Sequence, residues 1–282
     1  MKHFPRPLLA VHYLHSISRF WAVVQSAGRE RNGPRPRRAQ KGGVMSLPAT
    51  PNQLGNRLLN RLPRDEYKSL IRSEKAVSLA HGDEVYREDS LGGLSHVYFP
   101  TSGMISLTVL MEDGKEVEAG TIGNEGMIGL SVAHGLDFSP TKAVSQISGE
   151  CLRIPVSAFL KAMKRGGTLD KLVRRYTAYS LRYANQTVAC NLLHSAEQRM
   201  CRWLLMCHDR VEKQEFVLTH EYLAEMLGVR RQTVTVIAGT LQTASVISYH
   251  RGVIHILNRK RLEAASCECY GVTKAFYDRI MQ

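Results

Sequence analysis

No run of about 18 apolar residues occurs in this 282-residue chain, so no membrane-spanning helix is expected. The six cysteines, at 151, 190, 201, 207, 267 and 269, include no Cys-x-x-Cys pair. That scatter argues against a disulfide framework and against the grouped thiols of an iron–sulfur protein; it is read as the reduced thiol content of a cytoplasmic protein. The Cys267-Glu-Cys269 pair is read as two inert thiols, and neither a metal nor a cofactor is expected. Low-complexity and collagen-like stretches are also missing. What is there, 44% hydrophobic and 22% charged residues, is an ordinary globular composition with room for roughly two domains.

The formal net charge of +13 favours a polyanionic partner, but it is unevenly spread. Lys2, Arg6, Arg19, Arg29, Arg31, Arg35, Arg37, Arg38 and Lys41 stand against Glu30 alone in the first 45 residues, which leaves only +5 of the +13 for the rest. The segment 8–24 is apolar enough to suggest a signal peptide. His12, His15 and Arg19 interrupt it and no small-x-small cleavage site follows, so secretion is not expected. Residues 1–44 are read as a disordered basic extension, with Met45 resembling a natural start.

Beyond residue 52 the pattern becomes regular. Short helices are expected over 54–62 and 65–73, followed by β-type runs over 76–79, 84–86, 96–99, 104–111, 115–121 and 143–154. The clearest hairpin turns at Asp113-Gly114. Many short strands with regular turns imply a small β-roll or barrel. A cupin-type metal enzyme would share that architecture, but none of the eleven histidines forms the His-x-His ligand pair it needs, and no enzymatic activity is expected.

After Pro155 the period changes from two to about 3.6. With Leu169 at heptad position a, the a and d places fall on Leu169, Leu172, Tyr176, Tyr179, Tyr183, Gln186, Cys190 and Leu193. Only Gln186 is polar, as in a helix pairing with its own copy, although a helix lying along the β-roll of its own chain would show the same stripe. A further helix carries Met200, Trp203, Leu204 and Cys207 as a core face.

The stretch GVRRQTVTVIAGTLQ, 228–242, reads as a strand by its local alternation and as a helix by its longer period. At about 100° per residue Val234, Ile237, Ala238 and Leu241 gather on one side, while Arg231, Gln232, Thr235, Val236 and Gly239 gather on the other. A preceding helix has Thr219 as N-cap, Leu223, Met226 and Leu227 as its apolar stripe, and Gly228 as its stop. Two helices across so tight a turn make a helix-turn-helix, and the hairpin around Arg251-Gly252 serves as a wing. Arg231 suits guanine, Gln232 suits adenine, and Thr235 or Val236 suits a thymine methyl. Arg230, Thr219 and Arg251 suit phosphates. A helix-turn-helix used only for protein interaction is the alternative, against which the cationic and amide side chains on the exposed arc argue.

This order of β-roll, long helix and LTHEYLAEMLGVRRQTVTVIAGTLQ with a winged hairpin resembles the Crp/Fnr family of bacterial transcription regulators. The resemblance covers about 54–262. It implies an α+β fold with an N-terminal double-stranded β-roll of the cyclic-nucleotide-binding type over 52–168. A dimerisation helix over 169–193, a winged helix-turn-helix over 194–263 and a C-terminal tail over 264–282 follow. It also implies a homodimer on double-stranded DNA with an inverted-repeat operator, places Arg231 and Gln232 at base-reading positions and Thr233 and Arg230 at or beside backbone contacts, and leaves RNA polymerase open as a further partner. An effector pocket is expected around Gly126, Met127, Ile128, Gly129, Thr141 and Lys142. Those segments lack the Gly-Glu and Arg-Ser or Arg-Thr pairs by which some relatives hold a cyclic nucleotide, and Val236 stands where a second arginine is common.

Overall fold

The computed structural model describes residues 55–282 apart from 73–74, 90–92 and 212–214; the basic extension and Met45 lie outside the described residues. Asn56, fully buried, organises the first turn. Its amide donates to the carbonyls of Pro100 (2.8 Å) and Gly126 (2.9 Å), and its Oδ1 accepts from the backbone N–H groups of Leu58 and Leu59. An asparagine that captures backbone amides competes with helix formation, so the helix expected over 54–62 is only a 3-10 turn, Leu59–Arg61. Helix α1, Arg64–Ile71, follows Pro63.

Seven strands come next: β1 Lys75–Leu79, β2 Glu84–Tyr86, β3 His96–Pro100, β4 Met104–Leu110, β5 Glu116–Ile122, β6 Lys142–Ile147 and β7 Gly149–Pro155. They form two antiparallel sheets, β1-β7-β3 and β2-β6-β4-β5, which make up the double-stranded β-roll. Ile105, Ile128, Ala143 and Cys151 share one buried cluster that draws on both sheets. The run expected as one strand over 143–154 is split between the sheets. A Cβ on Gly103 would lie 2.5 Å from the Ile147 carbonyl oxygen, and one on Gly149 would lie 2.2 Å from that of Ser102. Two glycines thus let the backbones pass close enough for the chain to change sheets.

Helix α2, Val156–Met163, leads to α3, Thr168–Leu193. The Glu66 carboxylate accepts from the first amides of α3, Thr168 (2.9 Å) and Leu169 (3.0 Å). Burial opposes the charge on Glu66, but these donors hold its carboxyl below the usual range.

Seen along α3, the expected self-pairing seam is turned inward. Leu169, Leu172, Tyr176, Tyr179 and Cys190 are buried, and Tyr183 and Gln186 half-buried, within the chain itself; of the eight a and d places only Leu193 is exposed. The Tyr176 hydroxyl fills the space a Cβ on Gly126 would need. Tyr179 meets the Tyr277 ring edge-on at 5.1 Å, and Gln186 donates to Cys269 Sγ at 3.0 Å. The heptad phase with the most apolar residues was therefore the one required by the chain's own core. The stripe left facing solvent is Ala178, Leu181, Asn185, Val188 and Leu192, with Leu181, Val188 and Leu192 more than 60% exposed.

The C-terminal half contains α4 Ala196–His208, β8 Glu215–Val217, α5 His220–Leu227, α6 Arg231–Thr243, β9 Ile247–His250, β10 Val253–Ile256, α7 Arg259–Ala265 and α8 Cys269–Ile280. Ser195 and Gln198 close a reciprocal capping box at the start of α4, satisfying two otherwise free donors. The residues expected as a tail instead form α8, whose Tyr277 is buried together with neighbouring Met281 in the core shared by α3 and the β-roll. Cys267 and Cys269 pack on Cys190 in one buried cluster.

The joint between the two halves is built on a buried ion pair. Arg210, just beyond α4, is 7% exposed and binds both oxygens of Glu125: Nη2 to Oε1 at 2.5 Å and Nε to Oε2 at 3.1 Å. Its Nη1 also donates to Thr121 Oγ1 at 2.7 Å, while the Tyr277 hydroxyl donates to the Glu125 carbonyl at 2.7 Å. Nearby, Glu118 of β5 accepts from Ser106 Oγ (2.6 Å) and from Trp203 Nε1 of α4 (3.1 Å). Desolvation raises the Glu118 carboxyl to about 7, and those two hydrogen bonds offset part of the rise.

Glu125→Ala is expected to cost about 3–5 kcal/mol in urea denaturation, because it strands the Arg210 charge; Glu125→Leu with Arg210→Met should recover most of that loss. Glu118 carries the opposite sign from a paired carboxylate. Its folded-state value is raised, so it is neutral in both states in acid, and ionising it disfavours the native state as pH rises from the unfolded value towards about 7. Glu118→Gln should therefore raise the thermal midpoint at pH 8 and leave it nearly unchanged near pH 4, as scanning calorimetry across that range will read.

Candidate nucleic-acid interface

The Thr219 side chain accepts from the Tyr222 amide at 3.2 Å and opens α5. Gly228 closes it with φ 61°, a left-handed conformation that glycine adopts without penalty, and its N–H returns to the carbonyls of Ala224 and Glu225. Val229 N–H also reaches the Ala224 carbonyl at 3.0 Å, so the chain turns within three residues and α6 begins at Arg231. The helical period prevails over the strand-like alternation because Val234, Ile237, Ala238 and Leu241 all enter the core formed with α4, α5 and the wing strands.

Arg230, Arg231, Gln232, Thr235 and Val236 consequently face solvent, Val236 with 68% of its surface exposed, while Thr233 is half-buried. Arg231 Nε pairs with Glu221 Oε1 at 2.7 Å. Both side chains are well over half exposed, so this pair is worth at most about 1 kcal/mol and yields readily to a competing anion. The wing is a three-stranded sheet of order β8-β10-β9. At its tip Arg251 and Gly252 have φ 49° and 80°, the two positive values of a tight hairpin turn whose twist matches its strands. The hairpin thereby presents the exposed Arg251 at its end.

Two side chains that sequence reasoning passed over connect these parts. The His220 ring stacks on Tyr249 of β9 at 4.5 Å and 10°, and its Nδ1 lies 3.0 Å from Thr235 Oγ1. Tyr249 in turn donates to the Leu218 carbonyl at 2.9 Å, and its own N–H is bound by the Gln242 side chain at 3.0 Å. Burial, and next the Arg231 charge, lower the His220 imidazole below its ordinary value, so the ring is neutral at neutral pH. A His at the first position of α5 and an aromatic in the wing were the only sequence signals for this bridge.

Of the residues expected to form an effector pocket, Gly129 and Thr141 both approach Tyr86, and the others are divided between the core and the surface. Met127 and Ile128 are fully buried core residues, and Gly126 is pressed against Tyr176. Gly129 has φ 85° and starts a 3-10 turn, Leu130–His134. Thr141 bonds with Ser139, and Lys142 Nζ pairs with Glu116 Oε1 at 2.6 Å. Lys142 opens β6 and Glu116 opens β5, the two strands that flank β4, where their charges pair. A cavity of about 240 Å³ lies at the joint, lined in part by Glu125, Arg210, Tyr179, Tyr277 and Lys274.

Residues 76–166 match the family described as cyclic nucleotide-binding domain, and residues 198–265 match the Crp-like helix-turn-helix domain. No curated protein matches in sequence. Among solved structures, FixK2 from Bradyrhizobium japonicum is similar with a TM-score of 0.59 and 20% identity over 69% of this chain and 98% of its own. A CRP-family transcriptional regulator from Thermus thermophilus has a TM-score of 0.55 and 17% identity over 67% and 95%. CLP, the c-di-GMP responsive global regulator of Xanthomonas campestris, has 0.55 and 13% over 69% and 99%. At these identities the likeness is one of fold. No helix among the described residues is long and apolar enough to cross a membrane. With the β-roll, the long helix and the winged Crp-like helix-turn-helix following one another on a single polypeptide, the chain belongs to the Crp/Fnr family of DNA-binding transcription regulators.

Proposed function

We propose that the protein is a cytoplasmic homodimer that binds an inverted-repeat operator through α6 and responds to a signal acting on its β-roll. The observation that carries this reading is the solvent-facing arc of α6, where Arg231 and Gln232 are held in place by the helix yet tied down by no more than a surface ion pair. Arg231 donates two parallel hydrogen bonds to guanine O6 and N7, Gln232 pairs with adenine N6 and N7, and Thr235 or Val236 meets a thymine methyl. Arg230, Thr219, Thr233 and Arg251 contact phosphates and set register. RNA polymerase is the further partner that an operator-bound dimer would meet.

Self-association runs through the outward stripe of α3. Ala178, Leu181, Val188 and Leu192 recur at alternating spacings of three and four, and Asn185 supplies the single polar place that fixes register. Two copies paired in this way would set their recognition helices about 34 Å apart, one turn of the duplex. The DNA-binding half of this proposed organisation, 194–263, is linked to the β-roll half, 52–168, by the Glu125–Arg210 pair, so a signal that favours one arrangement of the joint shifts the dimer's affinity for DNA.

Arg231→Ala is expected to weaken binding to the operator by about 10- to 100-fold in fluorescence anisotropy, with relaxed preference at one base pair. Arg251→Ala should weaken all sequences alike and lower the salt dependence by about one phosphate. Equal operator affinity of Arg231→Ala and parent at matched salt would remove the base-reading role. Leu181→Arg is expected to give monomers in sedimentation velocity while the circular dichroism spectrum stays that of the parent.

A further inference from the structure

Three of the six cysteines and one histidine, spread over some eighty residues of sequence, converge at the junction of α3, α4 and α8. Cys190 lies in the last turn of α3, His194 is its C-cap, Cys267 precedes α8 and Cys269 opens it. One ligand-type atom from each lies within 4.8 Å of all the others. Cys190 Sγ is 3.5 Å from Cys267 Sγ, and Cys269 Sγ is 3.6 Å from His194 Nδ1. A tetrahedral ion with bonds of about 2.3 Å to sulfur and about 2.0 Å to nitrogen has edges of roughly 3.8 Å between sulfurs and roughly 3.5 Å from sulfur to nitrogen. The Cys190–Cys267 and Cys269–His194 separations match those edges, and the 4.8 Å limit keeps all four atoms within reach of one ion. A cluster of several irons with bridging sulfide would hold its ligands farther apart, and a disulfide would bring two sulfurs to about 2.05 Å, whereas all six cysteines are free thiols.

The surroundings fit the same conclusion independently. The other nitrogen of the histidine, Nε2, pairs with Glu268 Oε2 at 3.0 Å, the carboxylate–histidine contact that orients an imidazole and leaves Nδ1 to bind a metal. Gln186 Nε2 donates to Cys269 Sγ at 3.0 Å, as a thiolate ligand requires. Cys190, Cys267 and Cys269 are almost fully buried. Beside them stands Arg202, 6% exposed, with Thr187 Oγ1 at 3.3 Å, the Tyr183 ring at 5.5 Å and no carboxylate in ion-pair contact among the described residues. A buried cation needs a counter-charge, and three thiolates around a divalent ion carry a net charge of −1.

We propose that Cys190, His194, Cys267 and Cys269 bind one structural Zn²⁺. The donor set is soft, closed and four-coordinate, which suits zinc rather than calcium or magnesium. Binding forms three Zn–S bonds and one Zn–N bond and releases the three thiol protons to solvent. The ion clamps α8 against the end of α3 at the residue that immediately precedes Ser195, the cap of α4, and so holds the passage from the long helix into the DNA-binding half. This site is independent of how the protein reads DNA.

The full-length chain, purified without chelator from zinc-supplemented cells, is expected to contain one zinc per chain by elemental analysis. Replacing it with Co²⁺ should give the visible absorption of a tetrahedral thiolate site and thiolate charge-transfer bands in the near ultraviolet. Cys267→Ser and Cys269→Ser should lose the stoichiometric ion and the cobalt spectrum, while Cys151→Ser keeps both. A strong chelator should lower the thermal midpoint of the parent, an arm that decides the matter even where the serine variants do not fold. A parent with no zinc and no thiolate–cobalt spectrum, one carrying iron with acid-labile sulfide, or one two hydrogens lighter through a Cys190–Cys267 disulfide would overturn the proposal.

Discussion

The bidentate pair between Arg210 and Glu125 is the contact on which the arrangement of this protein depends. Both groups are more than nine-tenths buried, so neither can lose its partner to water, and the cost of desolvating them is met only when every donor and acceptor is matched. Thr121 and Met104 complete that matching for the guanidinium and the Gly123 amide for the carboxylate, while Gly103 N–H and the Tyr277 hydroxyl bind the backbone carbonyls of Arg210 and Glu125. Even Gly123 is constrained by it, since a Cβ there would lie 2.4 Å from the Arg210 side chain. One guanidinium thus fixes how the sheet, the start of the DNA-binding half and the last helix sit against each other.

Helix α3 shows how one element serves two masters. Its tyrosine-rich face covers the core of its own chain, with Tyr176 stacked on Tyr179 and Tyr179 tilted against Tyr183, and its aliphatic face stays outside. A heptad pattern tells that a helix has an apolar stripe and nothing about whose surface covers it. The aromatic stripe was the more conspicuous of the two, and the wider, larger side chains belong where the partner surface is irregular, against a sheet edge and α8, rather than in a seam between two like helices. The smaller and simpler stripe, with its single asparagine, is the one we propose as the seam.

The DNA-binding half was the most legible part of the sequence, for a local reason. Thr219, Gly228 and the spacing of Val234, Ile237 and Leu241 act within one or two helical turns, and caps and periodicity are local properties. The β-hairpin at Asp113-Gly114 was legible on the same grounds, with Gly114 at φ 82°. The surroundings of 126–129 and 141–142 were not, because they are set by residues far away in sequence, Tyr176 against Gly126 and Glu116 against Lys142. Glu125 went unremarked though it stands next to Gly126: nothing in its neighbours announces a partner 85 residues away.

The sequence by itself determined the order of β-roll, long helix, helix-turn-helix and winged hairpin, the turn between the two helices and which side chains the second helix shows to solvent, because each of these follows from backbone geometry over a few residues. Only the tertiary structure decided which face of α3 is spent on the chain's own core, that the last helix returns to the β-roll, and that Cys190, His194, Cys267 and Cys269 meet. Those outcomes rest on contacts between residues tens of positions apart, for which a linear pattern carries no record of distance.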